Sequence, residues 1–236
     1  MIYLIPAAGK GSRLPRDKWG FKPLIKVHGK TLLEYSIRSL DLSRNDLLVV
    51  VVLAGALSAE IDQVLRNLKV PCRWDLILLQ NETSGQADTA YQATSRLDSA
   101  EALVVHNCDT AMNIGPVETY QDCSGLIWLF ESDSPHFSYV SMDSDGLIME
   151  TAEKIVISNL ATTGTYYFSS IQEFRNYYQK TIFGTNEHFV APIYNTMILD
   201  SLRIRGQFVQ AVFPLGTPAD IGNYSSPLQK QWIPKW

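Results

Sequence analysis

Cysteine is scarce in this chain. Its three cysteines, Cys72, Cys108 and Cys123, are odd in number and have no metal-like spacing. They read as reduced thiols, so a disulfide framework or a cysteine-built metal site is not expected. Charge is sparse as well. Only 19% of residues are charged, with 20 basic against 24 acidic side chains and a formal net charge of −4. No block of consecutive Lys and Arg stands out. A general affinity for nucleic acid or for an anionic membrane is therefore not expected, and phosphate binding has to come from a few placed cations. No apolar stretch approaches the ~20 residues needed to span a bilayer. Met1–Ala8 has no basic flank and only a short apolar run, which does not read as a secretory leader. The expectation is a cytoplasmic protein.

What is present is enough apolar material for a sizeable core. Hydrophobic residues make up 46% of the 236, which excludes global disorder. Apolar runs occur at Tyr3–Pro6, Leu47–Leu53, Leu76–Leu79, Ala102–Val105 and Leu126–Phe130. Such runs suit strands buried on both faces, as in parallel sheets. Helical spacing falls between them: Leu33, Ile37 and Leu40; then Leu57, Ile61, Val64, Leu65 and Leu68, with Ser58 near the start; then Ala87, Ala90, Tyr91 and Thr94. Strand alternating with helix predicts an α/β fold of three layers, with a mostly parallel sheet covered on both sides. Beyond about residue 130 the pattern changes. Phe137–Met142 and Leu147–Glu153 alternate around Asp143-Ser144-Asp145-Gly146 as a hairpin. A strand is expected at Ala161–Phe168, helices near Ile171–Gln179 and His188–Leu199, and a last strand at Gln207–Phe213. With no linker, repeat or low-complexity tract, residues 1–236 read as one domain. The change of pattern divides it into a first half, about 1–130, and a second, about 131–236.

The first chemical motif is Ala7-Ala8-Gly9-Lys10-Gly11-Ser12-Arg13, directly after the first strand. Glycines let a backbone turn tightly and bring N–H groups to phosphate oxygens. A dinucleotide fingerprint needs a third glycine where Leu14 stands, so an oxidoreductase is disfavoured. An arginine in the loop suits a pyrophosphate leaving group, which it can grip bidentately. The second motif is Phe21-Lys22-Pro23-Leu24-Ile25, followed by Gly29-Lys30-Thr31-Leu32-Leu33-Glu34. Lys22 can return to the same phosphates, and Pro23 is expected to hold it extended. Asp109 follows a buried strand, where α/β sheets place ligand sites, and a hard carboxylate there suits Mg²⁺. Its neighbours His106 and Cys108 read as packing residues. Trp232 and Trp236 read as side chains that dock the tail.

Together these motifs resemble the sugar-1-phosphate nucleotidylyltransferases, the NDP-sugar pyrophosphorylase family. Further segments agree in order. Gln80-Asn81-Glu82-Thr83-Ser84-Gly85-Gln86-Ala87 resembles the family's nucleobase loop. Glu153-Lys154, with Ser158-Asn159-Leu160-Ala161-Thr162-Thr163-Gly164-Thr165-Tyr166-Tyr167-Phe168, resembles its acceptor stretch. Gly216-Thr217-Pro218-Ala219-Asp220 resembles its late Gly-Thr-Pro segment. Glu187-His188-Phe189-Val190-Ala191-Pro192-Ile193-Tyr194-Asn195 is similar to compact members linked to capsular and surface-polysaccharide gene clusters.

The resemblance implies the nucleotide-diphospho-sugar transferase fold and Mg²⁺ as cofactor. It implies an NTP and a sugar 1-phosphate as substrates, with no nucleic-acid or membrane partner, and leaves a homo-oligomer open. Arg13, Lys22 and Lys154 would be catalytic. Ala7, Ala8, Gly9, Gly11, Gln80 and Gly85 would bind nucleotide. Glu153, Gly164 and Glu187 would bind acceptor, and Asp109 the metal. Two positions depart from the pattern. Pro214 stands where the family has a second metal-binding aspartate, with Asp220 either a substitute or a helix N-cap. Ile155 replaces a proline after Lys154. Alternatives are a cytidylyltransferase acting on another small phosphate monoester, and a catalytically silent regulatory relative. A β-helical C-terminal domain is not expected.

Overall fold

The computed structural model describes residues 1–9, 11, 13–55, 57–117 and 122–224. Lys10, Ser12, Trp232 and Trp236 lie outside the described residues. The chain opens with β1 (Ile2–Pro6), the short α1 (Arg16–Trp19), a 3-10 turn at Lys22–Leu24, the ribbon β2 (Lys26–Val27) and β3 (Lys30–Thr31), and α2 (Leu32–Arg38). Then come β4 (Leu47–Leu53), α3 (Ser58–Leu68), β5 (Arg73–Leu79), α4 (Gln86–Thr94), β6 (Leu103–His106) and β7 (Thr110–Met112). The second half holds β8 (Gly125–Glu131), β9 (Ser138–Met142), β10 (Ile148–Glu153), β11 (Leu160–Phe168), α5 (Ile171–Lys180) and α6 (Ala191–Leu199). It closes with β12 (Ile204–Phe208), β13 (Val212–Pro214) and α7 (Pro218–Tyr224).

The main sheet runs β10-β9-β11-β6-β1-β4-β5, with β8 beside β11 and β12 beside β8. It is parallel from β6 through β1 and β4 to β5, where the apolar runs alternate with helices. It turns antiparallel at β11, which pairs β6, β8 and β9. The mixed, three-layer α/β architecture read from the sequence is present. Ile2 and Leu4 of β1 pack with Ala87, Ala90 and Ala93 of α4, and with residues of α5 and α6. Tyr3 and Ile5, on the opposite pleat, pack with Leu33 and Ile37 of α2 and with Ile61 and Leu65 of α3. A strand covered on both faces has no polar side to present, so its run is continuously apolar.

Local chemistry fixes the joints. Thr31 caps α2 reciprocally: Glu34 N–H donates to Thr31 Oγ1 at 3.1 Å, and Thr31 N–H to Glu34 Oε2 at 2.6 Å. The β9–β10 hairpin turns through Asp143–Gly146 as expected. Asp143 Oδ1 accepts from the Asp145 and Leu147 N–H groups, and Gly146 has φ +80°. The expected last strand at Gln207–Phe213 is in fact two. β12 lies parallel to β8, and the chain then leaves the main sheet so that β13 pairs antiparallel with β7. This small ribbon sets Pro214 opposite Thr110, and so brings Gly216–Asp220 to the strand end that carries Asp109.

Candidate active site

A cavity of about 350 Å³ opens at the carboxyl end of the parallel strands. Arg13, Asp109, Glu153, Lys154, Gly164 and Glu187 line it, as do Gln86, Asn107, Thr163, Pro214 and Asp220. Residues from both halves of the chain therefore meet there.

The glycine loop hands Arg13 to this cavity. Gly11 has φ +63°, and Leu14 N–H closes the turn onto the Gly11 carbonyl at 3.1 Å. Leu14, in the place of a third glycine, is buried with Ile25, Val27, Leu32 and Tyr35 and ties the loop to α2. Ala7 and Ala8 are buried at the loop's start, and Gly9 is exposed.

Lys22 was expected to be extended. It instead begins the 3-10 turn, with Leu24 N–H bonded to the Phe21 carbonyl and Ile25 N–H to that of Lys22. A one-turn 3-10 segment takes the proline at its second position, where no N–H is required. The turn aims Lys22 inward, past Gly11, to Asp109. Lys22 Nζ lies 2.5 Å from Asp109 Oδ2, with side-chain exposures of 18% and 10%. Burial pushes the Asp109 carboxyl up, but the Lys22 ammonium and its hydrogen bond outweigh it and hold the group below the usual carboxylate range. Burial pushes Lys22 down, and Asp109 reverses that. The pair is charged at neutral pH. Gly216 is needed beside it, because a Cβ there would lie 2.6 Å from Asp109 Oδ2.

His106 and Cys108 are buried, as read from the sequence. His106 Nδ1 shares a hydrogen bond with Thr165 Oγ1 at 2.7 Å, and burial pushes the imidazole down to about 4. Burial pushes the Cys108 thiol up to about 11, which leaves it protonated.

On the acceptor side, Glu153 accepts a hydrogen bond from Ser138, and burial raises its carboxyl. Lys154 is half exposed, with φ +56°. Its Nζ lies 3.8 Å from Glu153, 4.0 Å from Glu187 and 4.1 Å from the centre of the Phe189 ring. These loose contacts leave the ammonium available to an anion.

Gly85 and Gln80 behave differently. The His188 backbone packs on Gly85, where a Cβ would meet His188 O at 2.8 Å. His188 N–H donates to Ser84 O at 2.6 Å, and Ala87 N–H donates to His188 O at 2.9 Å. The second-half segment carrying Glu187 thus docks on the proposed base loop. Gln80 is exposed beside Tyr91 and Arg175, and it does not line the cavity that holds Arg13 and Asp109.

Gly164 has φ +81°, but its missing side chain makes room for Asn107 rather than for open space. A Cβ would lie 1.8 Å from Asn107 Nδ2. Asp220 is not an N-cap. Thr217 Oγ1 accepts from Asp220 N–H at 3.1 Å, so Thr217 caps α7, and Asp220, three residues on, lines the cavity. Sequence reading missed Asn107 and Gln86. The available signals were an asparagine two residues before Asp109 and a glutamine directly after Gly85.

Among the described residues no three His, Cys, Asp or Glu side chains cluster as a preformed metal cage. The donor set still fits Mg²⁺, which keeps several waters and takes one or two carboxylates plus substrate phosphates. Asp109 would hold the ion, with Asp220 in the same cavity and Pro214 offering no ligand atom.

Residues 3–115 match the family model described as the MobA-like NTP transferase domain. This stretch, just under half of the chain, is similar to an NTP transferase domain. The match supports the resemblance over the segments it spans, from the glycine loop to Asp109, and disfavours a dinucleotide-binding oxidoreductase. No curated protein matches the sequence. Among solved structures, the chain resembles a nucleoside-diphosphate-sugar pyrophosphorylase from Vibrio cholerae at 24% identity. That match has TM-score 0.83 over 95% of this chain and 99% of the other. An inositol-1-phosphate CTP transferase from T. maritima is 18% identical, with TM-score 0.76 over 93% and 90%. A UDP-glucose pyrophosphorylase complexed with UDP-glucose is also 18% identical, with TM-score 0.76 over 98% and 99%. At such identities these likenesses establish the fold. No helix among the described residues is long and apolar enough to cross a membrane.

Proposed function

We propose that this protein is a nucleotidyltransferase that couples an NTP to a sugar 1-phosphate, giving an NDP-sugar and pyrophosphate. The observation that carries the reading is one cavity shared by Arg13 and Asp109 from the first half and Glu153 and Lys154 from the second. The first half, about 1–130, holds the nucleotide, and the second, about 131–236, holds the acceptor. An oxygen of the acceptor phosphate attacks the α-phosphorus in line, the bond to the β-phosphate oxygen breaks, and pyrophosphate leaves. The attacking monoester is already ionised near neutral pH, so catalysis is chiefly positioning and charge neutralisation.

In this reading Arg13 and the loop at Ala7, Ala8, Gly9 and Gly11 hold the departing phosphates. Lys22 acts from beneath, fixing Asp109 in its charged form. Lys154 draws in the acceptor phosphate, and Glu153 and Glu187 accept hydrogen bonds from acceptor hydroxyls. Asp109 would hold Mg²⁺, which would supply charge neutralisation on the phosphates. Gln80 and Gly85 serve the base only through the loop that they flank. The enzyme works in the cytoplasm, and its product is a glycosyl donor for surface or capsular polysaccharide, as the likeness of Glu187–Asn195 implies.

A second reading is cytidylyl transfer to a smaller, less polar phosphate monoester. Phe130, Phe137 and Phe189 line the acceptor side, and Ile155–Ile157 stand exposed after Lys154 where the family has proline. A pyrophosphate-release screen of four NTPs against sugar 1-phosphates and alcohol phosphates tests both. Turnover with a sugar 1-phosphate supports the first reading, turnover with CTP and only alcohol phosphates supports the second, and nucleotide binding without turnover supports a silent relative.

A further inference from the structure

We infer that Asn107 is a further substrate-binding residue, and that Gln86 positions it so that its amide N–H groups face a phosphate oxygen in the cavity. The inference rests on the proposed nucleotidyl transfer and adds to it two residues outside the motifs.

Every hydrogen-bonding group of Asn107 but one is committed. Its backbone N–H donates to the Gly164 carbonyl at 3.1 Å, and its carbonyl accepts from Ser36 Oγ at 2.8 Å. Gln86 Nε2 donates to Asn107 Oδ1 at 2.7 Å. That bond fixes which way round the amide lies, because Oδ1 must be the edge that meets a donor. What remains is Nδ2. It rests on Gly164, in the space that any larger residue at 164 would fill. It has no hydrogen-bond partner among the described residues, and Asn107 lines the cavity. A pure donor is thus presented where Arg13 and Lys154 already favour an anion. The group that meets it must accept, and a phosphate oxygen only accepts.

A second observation points to a ligand at the same place. Thr163, next to Gly164, lines the cavity and is 4% exposed. Its hydroxyl is buried and has no partner among the described residues. A native fold rarely leaves such a group unpaired unless something else meets it.

Gln86 also joins three segments. It is the first residue of α4, immediately after Gly85; Asn107 precedes Asp109 by two; and Gly164 belongs to the acceptor strand β11. Its Nε2 lies 3.4 Å from the Gly164 carbonyl as well. One side chain therefore clasps the base loop, the metal-carboxylate strand end and the acceptor strand, with the Asn107 amide at their junction.

Gln86→Glu is the discriminating change. A glutamate is nearly isosteric but cannot donate to Oδ1, so it draws Nδ2 to itself and turns Oδ1 toward the phosphate. The full chain and its variants are assayed for pyrophosphate release, and for binding of each NTP with Mg²⁺ and of glucose 1-phosphate. Asn107→Ala should lower kcat by ~100-fold, the scale for losing one donor to developing charge. Gln86→Glu should lower it at least ~10-fold at an unchanged Tm, and should add little in an Asn107→Ala background. Gln86→Asn, shorter but still a donor, should recover part of the loss.

Weaker NTP binding in Asn107→Ala assigns the oxygen to the nucleotide, and weaker glucose 1-phosphate binding assigns it to the acceptor. If the wild type binds NTP without turning over, the nucleotidyl-transfer reading fails, and the binding arms still decide the role of Asn107. The inference is overturned if Asn107→Ala keeps both near-native kinetics and near-native binding. It is equally overturned if the Gln86→Glu loss persists undiminished without Asn107, or if the wild type binds none of the phosphates.

Discussion

Replacing Lys22 by methionine should expose how far the buried ion pair supports both fold and activity. Methionine keeps most of the stem that passes Gly11, where a Cβ would lie 3.8 Å from the Lys22 Cβ and Cδ. It removes only the ammonium that sits 2.5 Å from Asp109 Oδ2. Asp109, 7% exposed, then holds a buried charge without its partner. Breaking a buried pair from one side costs ~3–5 kcal/mol. For a chain of this size each kcal/mol is worth about 2–4 °C, so Tm should fall by roughly 6–20 °C. Turnover should fall at least ~100-fold.

The pH dependence gives a sharper signature. In the wild type Asp109 is held below its ordinary value, so its stabilisation is present above the unfolded pKa, ~3.9, and is lost as pH falls through the lower folded value. The raised Lys22 pKa works from the other side: its contribution is present below the unfolded value and lost only in strong alkali. In the variant, burial, the largest influence on Asp109, is opposed only by the Arg13 charge and a backbone hydrogen bond, and the carboxyl should rise. The folded state then takes up a proton that the unfolded chain does not, and stability drops as pH climbs past ~3.9. The Tm gap between wild type and variant should be widest near neutral pH and narrow toward pH ~4. A gap that stays constant across that range, or a Tm loss of only a degree or two with native kcat, would refute the reasoning.

Lys154→Ala should raise KM for the acceptor phosphate and leave NTP affinity nearly unchanged in calorimetry, because its ammonium is half exposed and loosely held by Glu153 and Glu187. Activity should require Mg²⁺ or Mn²⁺ and vanish in chelator. Asp109→Asn should lose most of it, while Asp220→Asn should cost at most about 1 kcal/mol from the α7 dipole; loss of Asp220→Asn activity that recovers at high Mg²⁺ would mark Asp220 as a second ligand. Thr217→Ala, which removes the observed α7 cap, should lower stability by about 0.5–2 kcal/mol in thermal melts.

Much of the frame was legible because it is local. The run Leu47–Leu53 matches β4 residue for residue, and the Ile61, Leu65 and Leu68 stripe marks the buried face of α3. The Arg13, Asp109 and Lys154 motifs fall on turns directly after strands, which their flanking residues announce. What was not legible depends on distant contacts. The chain at Val209–Ala211 carries no glycine or proline, so the switch from β8 to β7 looks like one continuous strand. Lys22 looked extended because proline follows it, yet a 3-10 turn accommodates both. Asp220 looked like a cap because the true cap, Thr217, is itself a good N-cap residue three positions earlier. The link between Gln86, Asn107 and Gly164 spans 78 positions, and no periodicity encodes it.

Isotope tracing tests the central claim most directly. The protein would be incubated with Mg²⁺, an NTP and a sugar 1-phosphate carrying ¹⁸O on all its phosphate oxygens, and the products weighed by mass spectrometry. Attack of the acceptor phosphate on the α-phosphorus puts all of the label into an NDP-sugar and none into pyrophosphate. Label in pyrophosphate, or NTP consumption without a labelled NDP-sugar, would contradict the account.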